Sequence, residues 1–381
     1  MRSKPQPSQS TPDPMPETDR PMLPPGSTIG ILGGGQLGRM LSLAASRLGF
    51  KSHIYCPDPE SPAFQVTDRR SVAAYDDQAA LAAFARAVDI VTYEFENVPA
   101  GAAAVLMHHV PVEPNPAVLD ITQDRYTEKS FLRRHGLDVA EFEAVSSIAE
   151  IEAAAIRLGY PCVLKTRKFG YDGKGQAIIH ARQDIATAWS AINGKPAIIE
   201  TYVPFSREIS VIVARGGDGA LRSFDIAENK HEHGILRTST VPADISDNTA
   251  RAAQGIGRIL ADAFSYIGVL AVEMFVVDQG PEPKLLVNEI APRVHNSGHW
   301  TEAACDISQF ELHIRAIAGW PLPHPLRHSN VEMTNLLGPE LFNFPKFAAE
   351  SHSILHLYGK SDPRPGRKMG HVNRLIPLGR R

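Results

Sequence analysis

Cysteine is scarce in this 381-residue chain, which contains only Cys56, Cys162 and Cys305. The three lie far apart and form no C-x-x-C pair, so they indicate neither a disulfide framework nor a thiolate zinc site and fit a reducing cytoplasm. Long apolar runs are absent as well, since none approaches the ~20 residues that a membrane span needs. Basic residues are not in excess, with 39 Lys and Arg against 42 Asp and Glu. We therefore expect a cytoplasmic protein with neither a membrane nor a nucleic acid as partner.

The first 26 residues are rich in proline and polar side chains and lack the apolar segment of a secretory signal. Such a composition buries too little apolar surface to offset the entropy of ordering the chain. We predict a disordered tail over residues 1–26. The remaining length is enough for two or three domains of ordinary size, which allows a site between domains.

The next segment has the periodicity of alternating strands and helices. From Ser27 an apolar TIGIL strand leads into the glycine turn GGGQLG and an amphipathic helix. A strand at 52–56, a helix at 79–87 and a third strand at 88–94 follow. The order β-α-β-α-β predicts a parallel, Rossmann-like sheet.

The second half of the chain has a different pattern. A helix at 127–135 precedes a small α+β module in which the loop GYDGKGQ separates two strands. Long strands at 207–215, 221–228, 269–278 and 284–290, with a helix at about 248–266, then predict a largely antiparallel sheet. The loop is not a P-loop, because its Gly-Lys is not followed by Ser or Thr.

The glycine turn contains Gly33-x-Gly35-x-x-Gly38 between a strand and a helix, which is the context of a dinucleotide fingerprint. The acidic residue expected after the second strand is poorly matched, since Asp58 comes late. Helix N-termini with exposed N–H groups also bind other anions. Nicotinamide binding, another phosphorylated ligand and a purely structural turn therefore all remain open at this point.

A pair of carboxylates gives a sharper signal. Glu273 stands inside the apolar strand VLAVEMFVV, where an unpaired charge is strongly disfavoured. Counting across the DQGPEP turn places Glu273 opposite Asn288 or Glu289. Carboxylate and amide oxygens at that spacing favour Mg²⁺ bound to substrate phosphates. The alternatives are a salt bridge to a nearby Arg or Lys, or one glutamate that faces water.

Three further segments are rich in polar or basic side chains. The stretch EIAPRVHNSGHW holds Arg293, His295, Asn296 and His299 around a proline and a glycine, which is typical of a ligand-lining loop. The stretch KSDPRPGRK groups Lys360, Arg364, Arg367 and Lys368, a set suited to a phosphate unless it is only a solvated surface. Lys165 ends an apolar strand just before the glycine loop, so we predict that its ammonium faces an anion and that the loop covers a nucleotide triphosphate.

With these pieces in this order, the chain resembles the ATP-grasp superfamily and, within it, the family of 5-(carboxyamino)imidazole ribonucleotide synthases. The resemblance runs from about Ser27 to Asn373. It is carried by the motifs GILGGGQLGRM, QDRYTEKSFL, GYDGKGQ, ENKHEHGILRTS, NEIAPRVHNSGHWT, SQFELHIR and RPGRKMGH. The most specific of these are GYDGKGQ and APRVHNSGHWT.

The resemblance implies a mixed α/β and α+β architecture. It implies an N-terminal Rossmann-like pre-ATP-grasp domain over 27–128 and an ATP-grasp domain over 129–320 with a lid at about 148–205. A small C-terminal β-rich domain is implied over 321–381. A homodimer and a hand-off of the product to the mutase that follows in the pathway are implied as well.

The resemblance also implies a reaction in de novo purine biosynthesis. ATP and bicarbonate would give carboxyphosphate, and the carboxyl group would then pass to the exocyclic amine of aminoimidazole ribonucleotide. The products would be ADP, phosphate and the carbamate. Mg²⁺ is the implied metal, with Mn²⁺ as an alternative.

The motif match assigns roles to individual residues. The residues implied to hold ATP are Arg125, Lys165, Gly170, Tyr171, Asp172, Gly173, Lys174, Gly175, Gln176, Glu200, Thr201, Tyr202, Val203, Glu208, His231, Asn288 and Glu289. Metal ligands would be Glu273 and Glu289. The residues implied around the carboxylation site and the ribotide are Tyr171, Asp172, Arg293, His295, Asn296, Gly35, Gln36, Leu37, Lys360 and Arg367. Asp172 is the candidate proton acceptor.

Three rival hypotheses follow from the same residues. Another ATP-grasp ligase, such as a glycinamide ribonucleotide ligase or a biotin carboxylase, would share the ATP residues, but the pair Tyr171-Asp172 and RPGRK argue against it. An NAD-dependent dehydrogenase would rest on the glycine turn alone. A non-catalytic nucleotide-binding regulator would keep Lys165 and the loop but would not need the two glutamates.

Overall fold

Three β-sheets organise the protein, which is described here by a computed structural model. The structure describes residues 21–168, 170, 173–278 and 283–379. The strands are β1 (Thr28–Leu32), β2 (Lys51–Tyr55), β3 (Arg69–Ser71), β4 (Ile90–Tyr93), β5 (Phe142–Val145), β6 (Cys162–Thr166), β7 (Gln176–Ile179), β8 (Ala197–Thr201), β9 (Arg207–Arg215), β10 (Leu221–Ser223), β11 (Ala227–Glu232), β12 (Ile235–Val241), β13 (Gly268–Val277), β14 (Lys284–Ala291), β15 (Asn330–Leu337), β16 (Ser353–Leu357) and β17 (Lys368–Ile376).

Helices cover the sheets and connect their strands. The α-helices are α1 (Gln36–Arg47), α2 (Gln78–Ala85), α3 (Ala100–His109), α4 (Ala117–Thr122), α5 (Arg125–Arg134), α6 (Ile148–Leu158), α7 (Ile185–Ala191), α8 (Asp247–Ala263), α9 (Thr301–Ala304), α10 (Gln309–Ile317) and α11 (Phe344–Ala349). Short 3-10 turns lie at Pro62–Gln65, Arg182–Asp184, Asn296–Gly298 and Gly338–Asn343. In the part of the chain that the structure describes, every helix is too short or too polar to cross a bilayer.

The first sheet has the order β3-β2-β1-β4, with parallel pairing throughout. This confirms the predicted β-α-β-α-β arrangement, to which the structure adds the short edge strand β3. Strand β1 is central, and Ile29 and Ile31 within it are fully buried. The carboxyl ends of β1 and β4 lie side by side, which brings the glycine turn next to residues 94–96.

The second sheet has the order β5-β8-β6-β7 and is antiparallel. It is the predicted α+β module, and its apolar face packs against α6 and α7. Lys165 on β6 pairs in register with Gln176 on β7, so the glycine loop joins two adjacent strands at their ends.

The third sheet has nine strands, with β14-β13-β9-β11-β12-β15-β17-β16 in order and β10 beside β9. The prediction of one strand over 221–228 is wrong, because β10 ends at Ser223 and β11 begins at Ala227. Between them Phe224 and Ile226 are buried, so the apolar pattern continues across the break and hides it. Strand β15 pairs with β12, which means that the C-terminal strands extend this sheet instead of forming their own.

Two boundaries differ from the sequence-based expectation. Helix α5 begins at Arg125 and not at residue 127, because the Asp124 side chain accepts hydrogen bonds from the N–H groups of Tyr126 and Thr127. The predicted tail lies outside the described residues up to residue 20. Its last part is anchored, since Leu23 N donates to Ala318 O at 2.9 Å and Trp320 Nε1 donates to Leu23 O at 2.8 Å.

Candidate active site

The three sheets meet at a cleft of about 950 Å³. A cavity of about 210 Å³ adjoins it, since Arg125, Glu289 and His295 line both. The predicted site residues that line the larger cleft are Gln36, Leu37, Arg125, Gly170, Gly173, Lys174, Glu289, Arg293, His295, Asn296, Lys360 and Arg367. Those found only along the smaller cavity are Lys165, Gln176, Glu208, His231, Glu273 and Asn288. The fold therefore gathers side chains that are widely separated in sequence.

The remaining predicted residues lie elsewhere. Gly35 lines a third depression, of about 290 Å³, together with Lys360 and Arg367. Residues 200–203, at and just beyond the end of β8, and Gly175 do not line these cavities. Tyr171 and Asp172 lie outside the described residues, so their predicted roles stay predictions.

The hairpin of β13 and β14 carries the two predicted metal ligands. Of the two registers that the sequence allowed, the structure has Glu273 opposite Glu289. The register shifts beside Glu273, so Asn288 is an extra residue on β14 and forms a bulge. Its Oδ1 is buried and has no hydrogen-bond partner among the described residues. Two carboxylates and an unused amide oxygen thus lie together.

The two carboxylates have different electrostatic surroundings. Burial, followed by the charge of Glu289, raises the pKa of Glu273 to about 7. Burial acts on Glu289 as well, but Arg125 Nη1 lies 3.1 Å from Glu289 Oε2 and the net effect lowers the pKa of Glu289. His295 Nε2 is 3.6 Å from Glu273 Oε1, and burial holds the pKa of His295 well below its usual value, so this histidine is a neutral neighbour.

A hard divalent cation fits this donor set. The salt bridge that the sequence left open does form, at Glu289, but it leaves Glu273 without an Arg or Lys partner within the described residues. Oxygen ligands from Glu273, Glu289 and Asn288 are those that Mg²⁺ prefers. A cation there would also remove the cost of keeping two like charges together in a buried position.

Lys165 reaches the cavity from the second sheet and is held by a buried carboxylate. Its Nζ lies 2.9 Å from Glu200 Oε2, and Lys129 Nζ lies 3.4 Å from Glu200 Oε1. Burial alone would raise the pKa of Glu200, but Lys165 and Lys129 outweigh it and lower that pKa to about 2. The Glu200 side chain therefore orients lysines, whereas the sequence assigned this residue to the strand that reads adenine.

Helix α5 supplies residues that the sequence analysis missed. Lys129 Nζ also donates to Asn288 O at 3.2 Å, and Glu128 Oε1 accepts from Ile290 N at 2.7 Å. Both side chains are almost fully buried. Arg125 and Lys129 are four residues apart and so lie on one helix face. That spacing of two cations in the motif QDRYTEKSFL is the sequence signal that places Lys129 beside Arg125 at the site.

Hydrogen bonds from Gln309 and Asn335 hold the segment that carries the predicted catalytic residues His295 and Asn296. The amide of Gln309 accepts from His295 N at 2.9 Å and donates to His295 O at 2.7 Å. A Cβ at Gly298 would lie 2.7 Å from Gln309 Oε1, so a larger residue there would displace the Gln309 amide from His295. Asn296 and Asn335 exchange two amide hydrogen bonds of 2.9 and 3.0 Å. The amide of Asn296 is thus already paired inside the protein.

Arg293 and the predicted ribose contacts, Glu208 and His231, have partners as well. The Arg293 guanidinium donates from Nε to Glu96 on the loop after β4, a contact that links the third sheet to the first. His231 Nδ1 contacts Glu208 across β9 and β11, and although burial acts in the opposite direction, this carboxylate raises the pKa of His231. Both pairs line the cavities and fix the direction of the charged groups.

The glycine turn binds an anion from its own chain. The N–H groups of Gly35 and Gly38 donate to the two oxygens of the Glu94 carboxylate, with 2.7 Å from Gly38 N to Oε2. A Cβ at Gly35 would lie 2.6 Å from Glu94 Oε1. Because the N–H groups that would bind a dinucleotide phosphate are occupied, the structure favours a structural turn over nicotinamide binding. Gln36 and Leu37, which lie between these two glycines, still line the large cleft.

Two loops close over the cleft. In the glycine loop, Gly173 has φ +73° and a Cβ there would lie 2.8 Å from Gly234 Cα, so only glycine fits against that turn. In the loop between β16 and β17, Lys360 Nζ donates to Lys368 O at 2.8 Å and Arg367 Nη1 donates to Asp362 O at 3.0 Å. These contacts bring cations from the C-terminal segment to the rim beside Arg293.

Comparison with protein families matches most of the chain in three parts. Residues 26–123 match the ribonucleotide synthetase preATP-grasp domain, and residues 130–310 match the ATP-grasp domain. Residues 332–377 match the phosphoribosylaminoimidazole carboxylase C-terminal domain.

Individual relatives are similar over nearly their full length. The N5-carboxyaminoimidazole ribonucleotide synthase of Brucella melitensis is 52% identical over 94% of this chain and 99% of its own. The crystal structure of N5-carboxyaminoimidazole synthetase from Staphylococcus aureus complexed with ADP has a TM-score of 0.88 at 37% identity, covering 94% of this chain and 95% of that one. The Aspergillus clavatus N5-carboxyaminoimidazole synthase in complex with ADP and 5-aminoimidazole ribonucleotide has a TM-score of 0.87 at 32% identity, covering 93% and 94%.

The raised pKa of Glu273 predicts a pH-dependent stability of the metal-free protein. The folded protein binds this proton more tightly than the unfolded chain, so the stabilisation is complete below about pH 4.5 and is lost as pH rises through about 7. The Glu273→Gln variant cannot titrate. We expect it to be more stable than the unmodified protein by about 2–3 kcal/mol at pH 8, and by much less at pH 5.

Denaturant unfolding in the presence of EDTA at the two pH values measures this difference. The control is Glu141→Gln, which changes a carboxylate whose side chain is 69% exposed. Equal stabilities of Glu273→Gln and the unmodified protein at pH 8 would contradict the electrostatic account.

Lys129 is predicted to stabilise the protein through Glu200. The Lys129→Met variant leaves a buried carboxylate with one partner instead of two, and we expect a loss of about 3 kcal/mol in the free energy of unfolding. Because Lys165 then neutralises Glu200 alone, the KM for ATP should rise. The matched control is Lys195→Met, which makes the same change at an exposed position. A stability equal to that of this control would show that Lys129 is not a partner of Glu200.

Proposed function

Because the chain belongs to the N5-carboxyaminoimidazole ribonucleotide synthase family of ATP-grasp proteins, we infer that it catalyses the ATP-dependent carboxylation of 5-aminoimidazole ribonucleotide in purine biosynthesis. It is a carbon-nitrogen ligase of the ATP-grasp type. The observation that carries this function is the partly buried pair of Glu273 and Glu289, which faces Arg125 at the junction of the cleft and the adjoining cavity. This arrangement suits a metal-bound triphosphate beside a second substrate.

We propose that ATP lies in the smaller cavity with its phosphates toward the large cleft. Lys165 and Arg125 offer cations to the phosphates, and the described part of the glycine loop, at Gly173 and Lys174, lies over the same space. Glu208 and His231, at the other end of the cavity, offer a carboxylate and an imidazole to the ribose hydroxyls. Residues 200–203 are proposed to contact the adenine.

We propose Glu273 and Glu289 as the ligands of Mg²⁺, with Asn288 Oδ1 as a third oxygen and Mn²⁺ as an alternative ion. When bound, the ion would offset the negative charge of the phosphates and of both carboxylates. Arg125 would then be free to turn from Glu289 toward a phosphate. The rise in the pKa of Glu273 makes loading of the ion more favourable at pH values above about 7.

The carboxylation is proposed to occur in the large cleft in two steps. A bicarbonate oxygen attacks the γ-phosphorus of ATP, ADP leaves, and carboxyphosphate forms. The exocyclic amine of the ribotide then attacks the carboxyl carbon and phosphate leaves. Arg293 is held by Glu96 at this position and offers a cation that does not lose its proton. Closure of the glycine loop would exclude water, in which carboxyphosphate hydrolyses.

The amine must lose a proton in the second step. His295 is a poor acceptor, because burial holds its pKa well below the usual value. The amide of Asn296 pairs with Asn335 and is suited to positioning. Asp172 therefore remains our proposed acceptor, with Tyr171 beside the imidazole. Lys360 and Arg367 are proposed to bind the ribotide phosphate, and Gln36 and Leu37 to line its sugar side.

A homodimer, a cytoplasmic location and a hand-off of the product to the following mutase are proposals as well. The exposed aromatic side chains Phe342 and Phe344 offer apolar surface to a second copy of the chain. Small molecules are the partners that the cleft itself accommodates.

Release of ADP from the purified protein tests the proposed reaction. We expect release with Mg²⁺, ATP and bicarbonate to increase when aminoimidazole ribonucleotide is added. The Glu289→Gln variant should reduce the rate at least about 100-fold, because it removes charge from the metal site. The Glu141→Gln control should keep the full rate.

The ribotide distinguishes this reaction from its rivals. A folded protein that binds ATP but shows no stimulation by the ribotide would overturn the assignment of the acceptor and point to another amine within the same fold. Binding of ATP without any turnover would point to a non-catalytic regulator.

A further inference from the structure

A second group of potential metal ligands lies outside the clefts described above. Glu302 on α9, His356 on β16 and His371 on β17 each offer one ligand atom, and these atoms all lie within 4.8 Å of one another. None of the three residues lines the cavities assigned to ATP and ribotide. The proposed reaction therefore does not account for this cluster.

The β16 and β17 hairpin holds the two histidines in place. His356 and His371 are directly opposite each other in the antiparallel ladder, and their rings stack with centroids 4.5 Å apart. Glu302 Oε2 comes from the other side and lies 3.7 Å from His356 Nδ1. That separation is too long for a hydrogen bond, so this pair does not satisfy its own polar atoms.

Several polar atoms of the cluster are buried without a partner. Glu302 Oε2, His356 Nε2 and His371 Nε2 have no hydrogen-bond partner within the described residues. Buried polar atoms are nearly always paired in folded proteins, because an unpaired one costs about 1–3 kcal/mol. Three such atoms in one cluster are available to a ligand.

The Tyr358 hydroxyl fixes the orientation of the His371 ring. Its Nδ1 is 2.8 Å from the buried Tyr358 hydroxyl, which leaves Nε2 as the free ring nitrogen. Metal-bound histidines are commonly oriented in this way by a partner on the other ring nitrogen.

We propose that Glu302, His356 and His371 form a binding site for a divalent transition metal ion, of which Zn²⁺ is the probe. Two imidazoles and one carboxylate are a ligand set that zinc accepts, with water in the fourth position. Tetrahedral zinc holds its ligand atoms about 3.4 Å apart and binds each imidazole nitrogen in the plane of the ring. One of the two stacked rings would therefore turn toward the ion when it binds. Glu302 and His356 are 20% and 26% exposed, which gives the ion a path of entry.

The ion would link the segment that leads into α9 to the hairpin of β16 and β17, both of which border the large cleft. Glu302 follows the segment that carries Arg293, His295 and Asn296, and the two histidines lie on either side of the loop that carries Lys360 and Arg367. A ligand bridge between α9 and this hairpin would fix the loop relative to that segment. The site, which we call the metal brace, therefore has a structural role: it would link the two segments, and its ligands do not touch the reacting groups.

Zinc content of the untagged full-length protein tests the proposal. The protein is stripped with a chelator, loaded with Zn²⁺ in excess Mg²⁺ and ADP to occupy the catalytic cleft, and passed through a desalting column. We expect one zinc per chain and a higher Tm than that of the stripped protein. The Glu302→Gln and His356→Ala variants should lose the zinc and the gain in Tm, whereas His324→Ala, at an exposed histidine, should keep both.

A variant at Tyr358 and a crystallographic determination of the zinc position complete the test. Tyr358→Phe should weaken zinc binding by about 10–100-fold, since it removes the group that orients His371. Anomalous scattering at the zinc edge from crystals of the loaded protein should place the ion between the three side chains. The proposal is overturned if no zinc is retained, if both ligand variants retain it, or if the ion lies at Glu273 and Glu289 instead.

Discussion

The placement of charge in a buried position is the constraint on which the rest of this structure depends. Four carboxylates, those of Glu128, Glu200, Glu273 and Glu289, lie beside three cations, those of Arg125, Lys129 and Lys165. Glu128, Glu200, Lys129 and Lys165 are buried and the other three are partly buried. Unpaired charges in such positions would be destabilising, so each group needs a partner from another element. Helix α5 places Arg125 beside Glu289 on the third sheet and Lys129 beside Glu200 on the second sheet, and so links the two sheets at the site. The excess of carboxylate over cation favours a metal ion there, and the ion in turn would offset the negative charge of a triphosphate.

A second consequence of the same constraint appears at the glycine turn. The turn exposes N–H groups at the start of α1, and an anion near them is favourable. Here the anion is Glu94, which lies at the end of β4 because β1 and β4 are neighbours in the parallel sheet. The turn therefore keeps the glycine pattern of a dinucleotide site while its N–H groups are already occupied. The pattern alone does not identify the anion.

The large cleft combines reactive side chains with a rigid support. Gln309 fixes the backbone on both sides of His295, Asn335 pairs with Asn296, and Glu96 holds Arg293. Such contacts hold these side chains close to one geometry, which is what positioning of two small substrates requires. The proposed metal brace at Glu302, His356 and His371 would extend this support to the loop with Lys360 and Arg367.

The sequence by itself determined the order of strands and helices, the two kinds of sheet and the pairing of Glu273 with its neighbours on β14. These features depend on periodicity and on counting across a short turn, which are local properties of the chain. The family motifs added the identity of the cleft residues. Only the tertiary structure decided which partner neutralises each buried charge, since Lys165 and Glu200 are 35 residues apart, Gly38 and Glu94 are 56 apart, and Lys129 and Asn288 are 159 apart. Contacts at such separations depend on how the sheets pack, and no local pattern of residues encodes them.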